Sequence, residues 1–124
     1  MINQVLLYVG AALTALWGVS HLFPTRGVVE GFGDISLDNR RIITMEWIVE
    51  AVSLIFIGVL VATVTAVDPA SAVSQAVYWL CFAVLNVLSV VSLFTGFKVS
   101  FLAYKLCPLI FTGSSILILL GAIL

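Results

Sequence analysis

Four runs of apolar residues, each about the 20 residues a helix needs to cross a bilayer, constrain this chain more than any other feature. The first runs from about Ile2 to Phe23 and ends at Pro24. The second runs from about Ile42 to Val67 and is stopped by Asp68 and Pro69. The third runs from about Ala76 to Phe97, before Lys98, and the fourth from about Leu106 to Leu124. Together they take up most of the 124 residues and leave a single domain, 1–124. The runs are long and continuous, whereas a membrane barrel needs short alternating segments. Charged residues make up only 9% of the chain and hydrophobic ones 63%. A soluble domain carries about 25% charge, so this chain has too little polar surface to face water on all sides. The expected fold is all-α: an integral membrane four-helix bundle, up-down-up-down, embedded in the lipid bilayer. The first run has no basic stretch before Leu6 and no small-x-small cleavage site after it, so it reads as a retained helix and not a signal peptide.

The connections differ in character. The loop from 24 to 41 is the longest and holds Arg26, Glu30, Asp34, Asp38, Arg40 and Arg41. Val28, Val29 and Phe32 within it have helical spacing, which predicts a short helix lying on the membrane surface. Gly31 and Gly33 would end that helix, and Ser36 or Asp38 would cap the next. The second connection, Asp68 to Gln75, is short and polar. The third, Lys98 to Lys105, carries Phe101 and Tyr104, which suit an interface. All five basic residues fall in the first and third connections. The positive-inside rule places those loops in the cytoplasm of a cell-membrane protein and both termini on the other side. A net charge of -1 gives no basis for nucleic-acid binding.

Ionisable groups inside a membrane are costly and face a bundle interior or a cavity. Glu46 and Glu50 are four residues apart and share one helix face, which Ser53 continues. By helical rise Glu50 lies about 12 Å deep, near the middle of the apolar layer. With no Lys or Arg inside a span to pair it, a carboxyl there is expected to take up a proton through desolvation. It is a candidate acid/base group or ligand anchor. His21, the only histidine, is expected near the level of Glu46 at the cytoplasmic mouth, with Arg26 and Arg41 close by. His21, Glu46 and Glu50 are therefore the candidate catalytic residues. Trp17 and Trp47 flank that level and could line a pocket. Asn86, about 15 Å into the third helix, lies at a depth shared with Ser89, Thr14, Ser114 and Ser115. Asn86 and Ser115 are taken as candidate ligand-binding residues with the two tryptophans, Arg26 and Arg41. The alternative for the polar layer is a hydrogen-bonded seal between helices.

One histidine and two carboxylates argue against a metal site, because the repeated E-x-x-H pairs of di-iron bundles are absent. No cofactor can be assigned: there is no phosphate-binding glycine loop, nucleophile elbow or zinc motif. Cys81 and Cys107 are not a C-x-x-C pair and fit as buried fillers. Gly10, Thr14 and Gly18 form a small-residue stripe that lets helices approach closely, more readily inside the monomer than across a dimer seam.

The stretch RRIITMEWIVEAVSLIFIGVL, from the Arg40–Arg41 pair into the second span, resembles a segment of the DoxX-like small four-helix bacterial membrane proteins. There a glutamate near the start of the second helix precedes an apolar run with glycine, matched here by Glu46 or Glu50 and Gly58. The resemblance covers about a sixth of the chain and implies the four-helix architecture more than an activity. Functionally the sequence points to a membrane protein that binds, or acts on, a lipophilic small molecule. The alternatives are an oligomeric proton-linked transporter or channel, and an accessory subunit without a site of its own.

Overall fold

The computed structural model describes residues 2–124, and all regular structure among them is helical. The elements are α1 (Gln4–Leu22), α2 (Thr25–Glu30), α3 (Leu37–Val67), α4 (Ala72–Phe94) and α5 (Leu102–Ile123), with a single 3-10 turn at Gly96–Lys98 before α5. Four of the five (α1, α3, α4 and α5) are long and apolar enough to cross a membrane. Short polar side chains start three of these. Asn3 accepts from Leu6 N, Ser36 from Asn39 N and Ser71 from Ser74 N, each satisfying an amide that the first turn leaves unpaired. The surface helix α2 ends at Gly31, and Gly33 follows with φ 73°, a left-handed conformation that glycine adopts at no steric cost. The helix α5 begins one turn before the apolar run, at Leu102, so Pro108 lies inside it. Proline there leaves the Tyr104 carbonyl without its usual partner four residues on.

The helix α1 packs between α3 and α5, and α4 packs on the far side of α5. Glycine sets the closest approaches. A Cβ on Gly18 would lie 2.7 Å from the Ala51 carbonyl oxygen, and one on Gly58 would lie 2.7 Å from the Ala15 Cβ and strike the Ala11 carbonyl. The backbones of α1 and α3 therefore touch, and dispersion between them is gained along the whole seam. On the other face of α1, Asn3 N donates to Gly121 O and Gly10 abuts Ile118. Residue numbers rise along α1 as they fall along both partners. The stripe of Gly10, Thr14 and Gly18 is thus used within one chain, with Gly10 facing α5 and Gly18 facing α3.

The fourth seam, between α3 and α4, is different. The two helices are tied at their connecting turn, where the buried Tyr78 hydroxyl donates to Thr65 Oγ1, itself bonded to Val61 O, and Ser74 Oγ donates to Asp68 O. Away from the turn they meet sparsely. The core of Leu7, Leu54, Val61, Tyr78, Leu85, Phe111 and Ile118 fills the turn half of the bundle. Large apolar side chains such as Leu16, Phe56, Val59, Leu80 and Leu109 cover the outside. Most hydroxyls in the spans bond a carbonyl of their own helix: Thr14 to Gly10, Ser53 to Val49, Thr63 to Val59 and Ser92 to Leu88. Such back-bonding hides a polar group without requiring a partner helix.

Candidate functional site

The register of the α1–α3 seam decides which polar side chains meet. Gly18 lies against Leu54, and Gly58 against Ala11. Three residues beyond Gly18, His21 therefore falls opposite Glu50 and not Glu46. The His21 Nε2 is 3.6 Å from Glu50 Oε1. Its Nδ1 lies 2.9 Å from the Trp17 carbonyl oxygen. A carbonyl can only accept, so Nδ1 carries the proton in every state that keeps this bond. Nε2 is then the one ring nitrogen free to exchange a proton with Glu50 or with a ligand. The ring is further fixed by aromatic neighbours. Trp17 meets it edge-on at 5.7 Å, and Trp47 lies over it at 5.0 Å. The Trp47 indole N–H donates to the His21 carbonyl, which locks α3 to the end of α1.

His21 is 7% exposed, whereas Glu50 is 44% exposed, and the space in front of Glu50 explains the difference. Where α3 and α4 part, a hollow of about 560 Å³ is lined by Phe32, Glu46, Trp47, Glu50, Ser53, Leu88 and Tyr104. A second hollow of about 350 Å³ shares Trp47, Glu50, Leu88 and Tyr104 and reaches His21, Ser92, Cys107 and Phe111. The two form one cleft, open to the side between α3 and α4 and backed by α1 and α5. Behind the Trp47–Tyr104 contact lies a smaller chamber of about 80 Å³, bounded by Trp17, His21, Phe101 and Cys107. An apolar groove of about 670 Å³ between Gly27, Phe32, Val99 and Phe101 leads away from Tyr104. It brings the first and third connections, and with them the basic residues, to one end of the bundle.

The other residues singled out from sequence are distributed as follows. Glu46 is exposed at the cleft mouth with no cation within 4.0 Å among the described residues. Arg26 pairs with Glu30 at 2.8 Å and Arg41 with Asp38 at 4.0 Å, so neither arginine joins the His21–Glu50 pair. The Glu30 carboxylate, hydrogen-bonded to Arg26, raises the guanidinium above its ordinary value. Asn86 donates to Phe82 O of its own helix and Ser115 to Thr112 O. Neither lines the cleft, so the polar residues at the depth of Glu50 do not converge. Ser89 donates to Pro108 O and accepts from the Thr112 hydroxyl, clasping α4 to α5. Both cysteines are free.

Tyr104 contributes more than its place in the third connection suggests, since it lines the cleft, the chamber and the groove alike. Its spacing to Cys107, three residues on, was the available signal: one helical face once α5 is extended back to Leu102. Leu88 and Phe32 carry no such signal, being two apolar residues among many. No protein-family model, curated protein or solved structure matches this chain.

Proposed function

We propose that this chain is a multi-pass membrane protein, crossing the bilayer up-down-up-down, that takes a lipophilic small molecule into the cleft between α3 and α4. The observation that carries this reading is Glu50: a carboxyl in the middle of an apolar helix, half-exposed to a hollow whose walls are mostly apolar, with Glu46, His21, Ser53 and Ser92 the main polar exceptions. In a bilayer the side of the cleft faces acyl chains, so a ligand can enter laterally without crossing water. A site of a few hundred Å³ with few polar groups on apolar walls has the make-up of a small-molecule pocket. His21 and Glu50 supply the polar end. With Nδ1 held by Trp17, the pair can accept or give a proton at Nε2 or Oε1, the acid/base capacity an enzyme on such a ligand needs. The basic residues gathered at the Phe101 end support, by the positive-inside rule, a cytoplasmic position for that end with both termini outside.

The test is a thermal-shift screen of lipophilic compounds on the protein in nanodiscs, repeated with Glu50→Gln and with Ser92→Phe, which fills the lower hollow. Ligands that stabilise the parent protein and fail on both variants support the cleft as the site. Ligands that act equally on all three bind elsewhere and sink the proposal. The open seam also favours a second reading, in which another copy of the chain covers the cleft and Glu50 carries protons across an oligomer. Proton uptake by liposomes containing the protein, absent with Glu50→Gln, separates it from the first.

A further inference from the structure

The charges around the cleft are one-sided. Its lining includes Glu46 and Glu50 and no lysine or arginine. Of the cations at this end, Arg26 pairs with Glu30, Arg41 with Asp38, and Lys105 with the Phe97 carbonyl and the face of the Phe97 ring, while Arg40 lines a separate hollow with Thr44. His21 is the only basic group within reach of Glu50. A carboxylate surrounded by apolar walls is costly without a counter-charge. A neutral ligand would leave that cost in place and an anion would add to it. A cationic ligand offsets it directly. The walls suit a cation for a second and independent reason. Trp47 and Tyr104 meet edge to face at 6.0 Å beside Glu50, and Phe32 stands at the mouth. Rings of this kind attract an organic cation through their negative faces, most strongly where water is excluded.

Resting on the cleft being a ligand site, we infer that its ligand is a lipophilic organic cation, held by Glu50 with Glu46 at the mouth and stacked against Trp47 and Tyr104. A strongly hydrated inorganic ion has no use for apolar walls of this extent, and a neutral lipid has none for the carboxylates. The groups that face Glu50 are His21 from α1, Glu46 from its own helix, and Tyr104 and Cys107 from α5. The α4 wall, Leu88, Val91, Ser92 and Thr95, contributes no titratable group.

The experiment uses the full chain in nanodiscs of neutral lipid, with empty nanodiscs subtracted for partitioning. The probes are tetraphenylphosphonium and, as a neutral compound of similar shape, triphenylphosphine oxide. Binding is read from the fluorescence of the cleft tryptophans. The expected result is tetraphenylphosphonium bound about tenfold or more tighter than the neutral probe. Glu50→Gln removes that preference, and an unchanged helical circular-dichroism spectrum shows the variant to be folded. Glu46→Gln weakens the cation about threefold, and Glu50→Asp retains it. Equal binding of the two probes, both lost in Ser92→Phe, overturns the cation and leaves the cleft standing. If neither probe binds, or if Ser92→Phe changes nothing, the cleft reading falls and the cation with it.

Discussion

The helix α3 has two long seams, built on opposite principles. Toward α1 it presents Ala51 and Gly58, and α1 answers with Ala11, Ala15 and Gly18, so that backbone meets backbone. Toward α4 it presents Glu46, Glu50 and Ser53, and α4 meets it near the connecting turn, through Tyr78 and Ser74, but stands off as the wall of Leu88 and Ser92 across the cleft. The first seam has no room for a methyl group; the second leaves hollows of hundreds of Å³. Small residues close a helix pair because they remove the side chains that would hold the axes apart. Ionisable residues on an otherwise apolar helix keep a pair open, since closing over an unpaired carboxyl is unfavourable. The same helix is thus a structural strut on one side and the wall of a site on the other.

Enlarging a side chain on each seam is the sharpest way to break this contrast. Gly58→Leu should cost about 3 kcal/mol or more, since the added atoms meet backbone that cannot move aside. It should yield little folded protein, measured by unfolding in mixed detergent. Ser92→Phe adds comparable bulk to the open seam and should shift stability by about 1 kcal/mol or less, while abolishing ligand binding. If both variants unfold alike, the seams are not different in kind. Next in size is Tyr78→Phe, which removes the hydroxyl contact from α4 to Thr65 of α3. It should lose about 1 kcal/mol in the same unfolding assay. Glu50→Gln should have a similarly small effect on stability, about 1 kcal/mol, because the group is half-exposed and its contact with His21 is long. A large loss would make Glu50 a structural brace and remove the asymmetry. The smallest change is expected from Ser53→Ala, within about 0.5 kcal/mol, because its hydroxyl serves only its own helix.

What could be read from sequence was local. The Ser36 cap, the short helix around Val28 and Val29, which stops before Phe32, and its end at Gly31 follow from residue types that act on their immediate neighbours. Four helices able to span a bilayer follow from run length. The pairing of His21 with Glu50 depends instead on how far α1 slides along α3. Gly18 and Gly58 set that distance, but a glycine stripe does not name its partner in advance. Depth estimates put Asn86, Ser115 and Thr14 level with Glu50, yet level is not direction. Each hydroxyl or amide turns back to its own helix, an option that any serine, threonine or asparagine has in a helix and that spacing cannot reveal. Arg26 and Arg41 likewise found acids one helical turn away, Glu30 and Asp38, before anything more distant. The cleft itself is made by sparse contact between α3 and α4 away from their turn, and acids on one helix do not say in advance which neighbour they will hold off.

The 31 residues of α3 make a rod roughly 46 Å long, against an apolar layer of about 30 Å. A bilayer that receives its Val67 end cannot swallow the other, and the surplus of roughly three turns at the Leu37 end must lean or stand proud. Were α3 to cross a bilayer, the thickness of that bilayer would govern how much of the cleft mouth is submerged. In a thin bilayer Glu46 would sit among headgroups and water; in a thick one it would be drawn toward the acyl chains, nearer the condition of Glu50. One sequence would then offer one acid to the lipid in the first setting and two in the second, with lipid composition as the control.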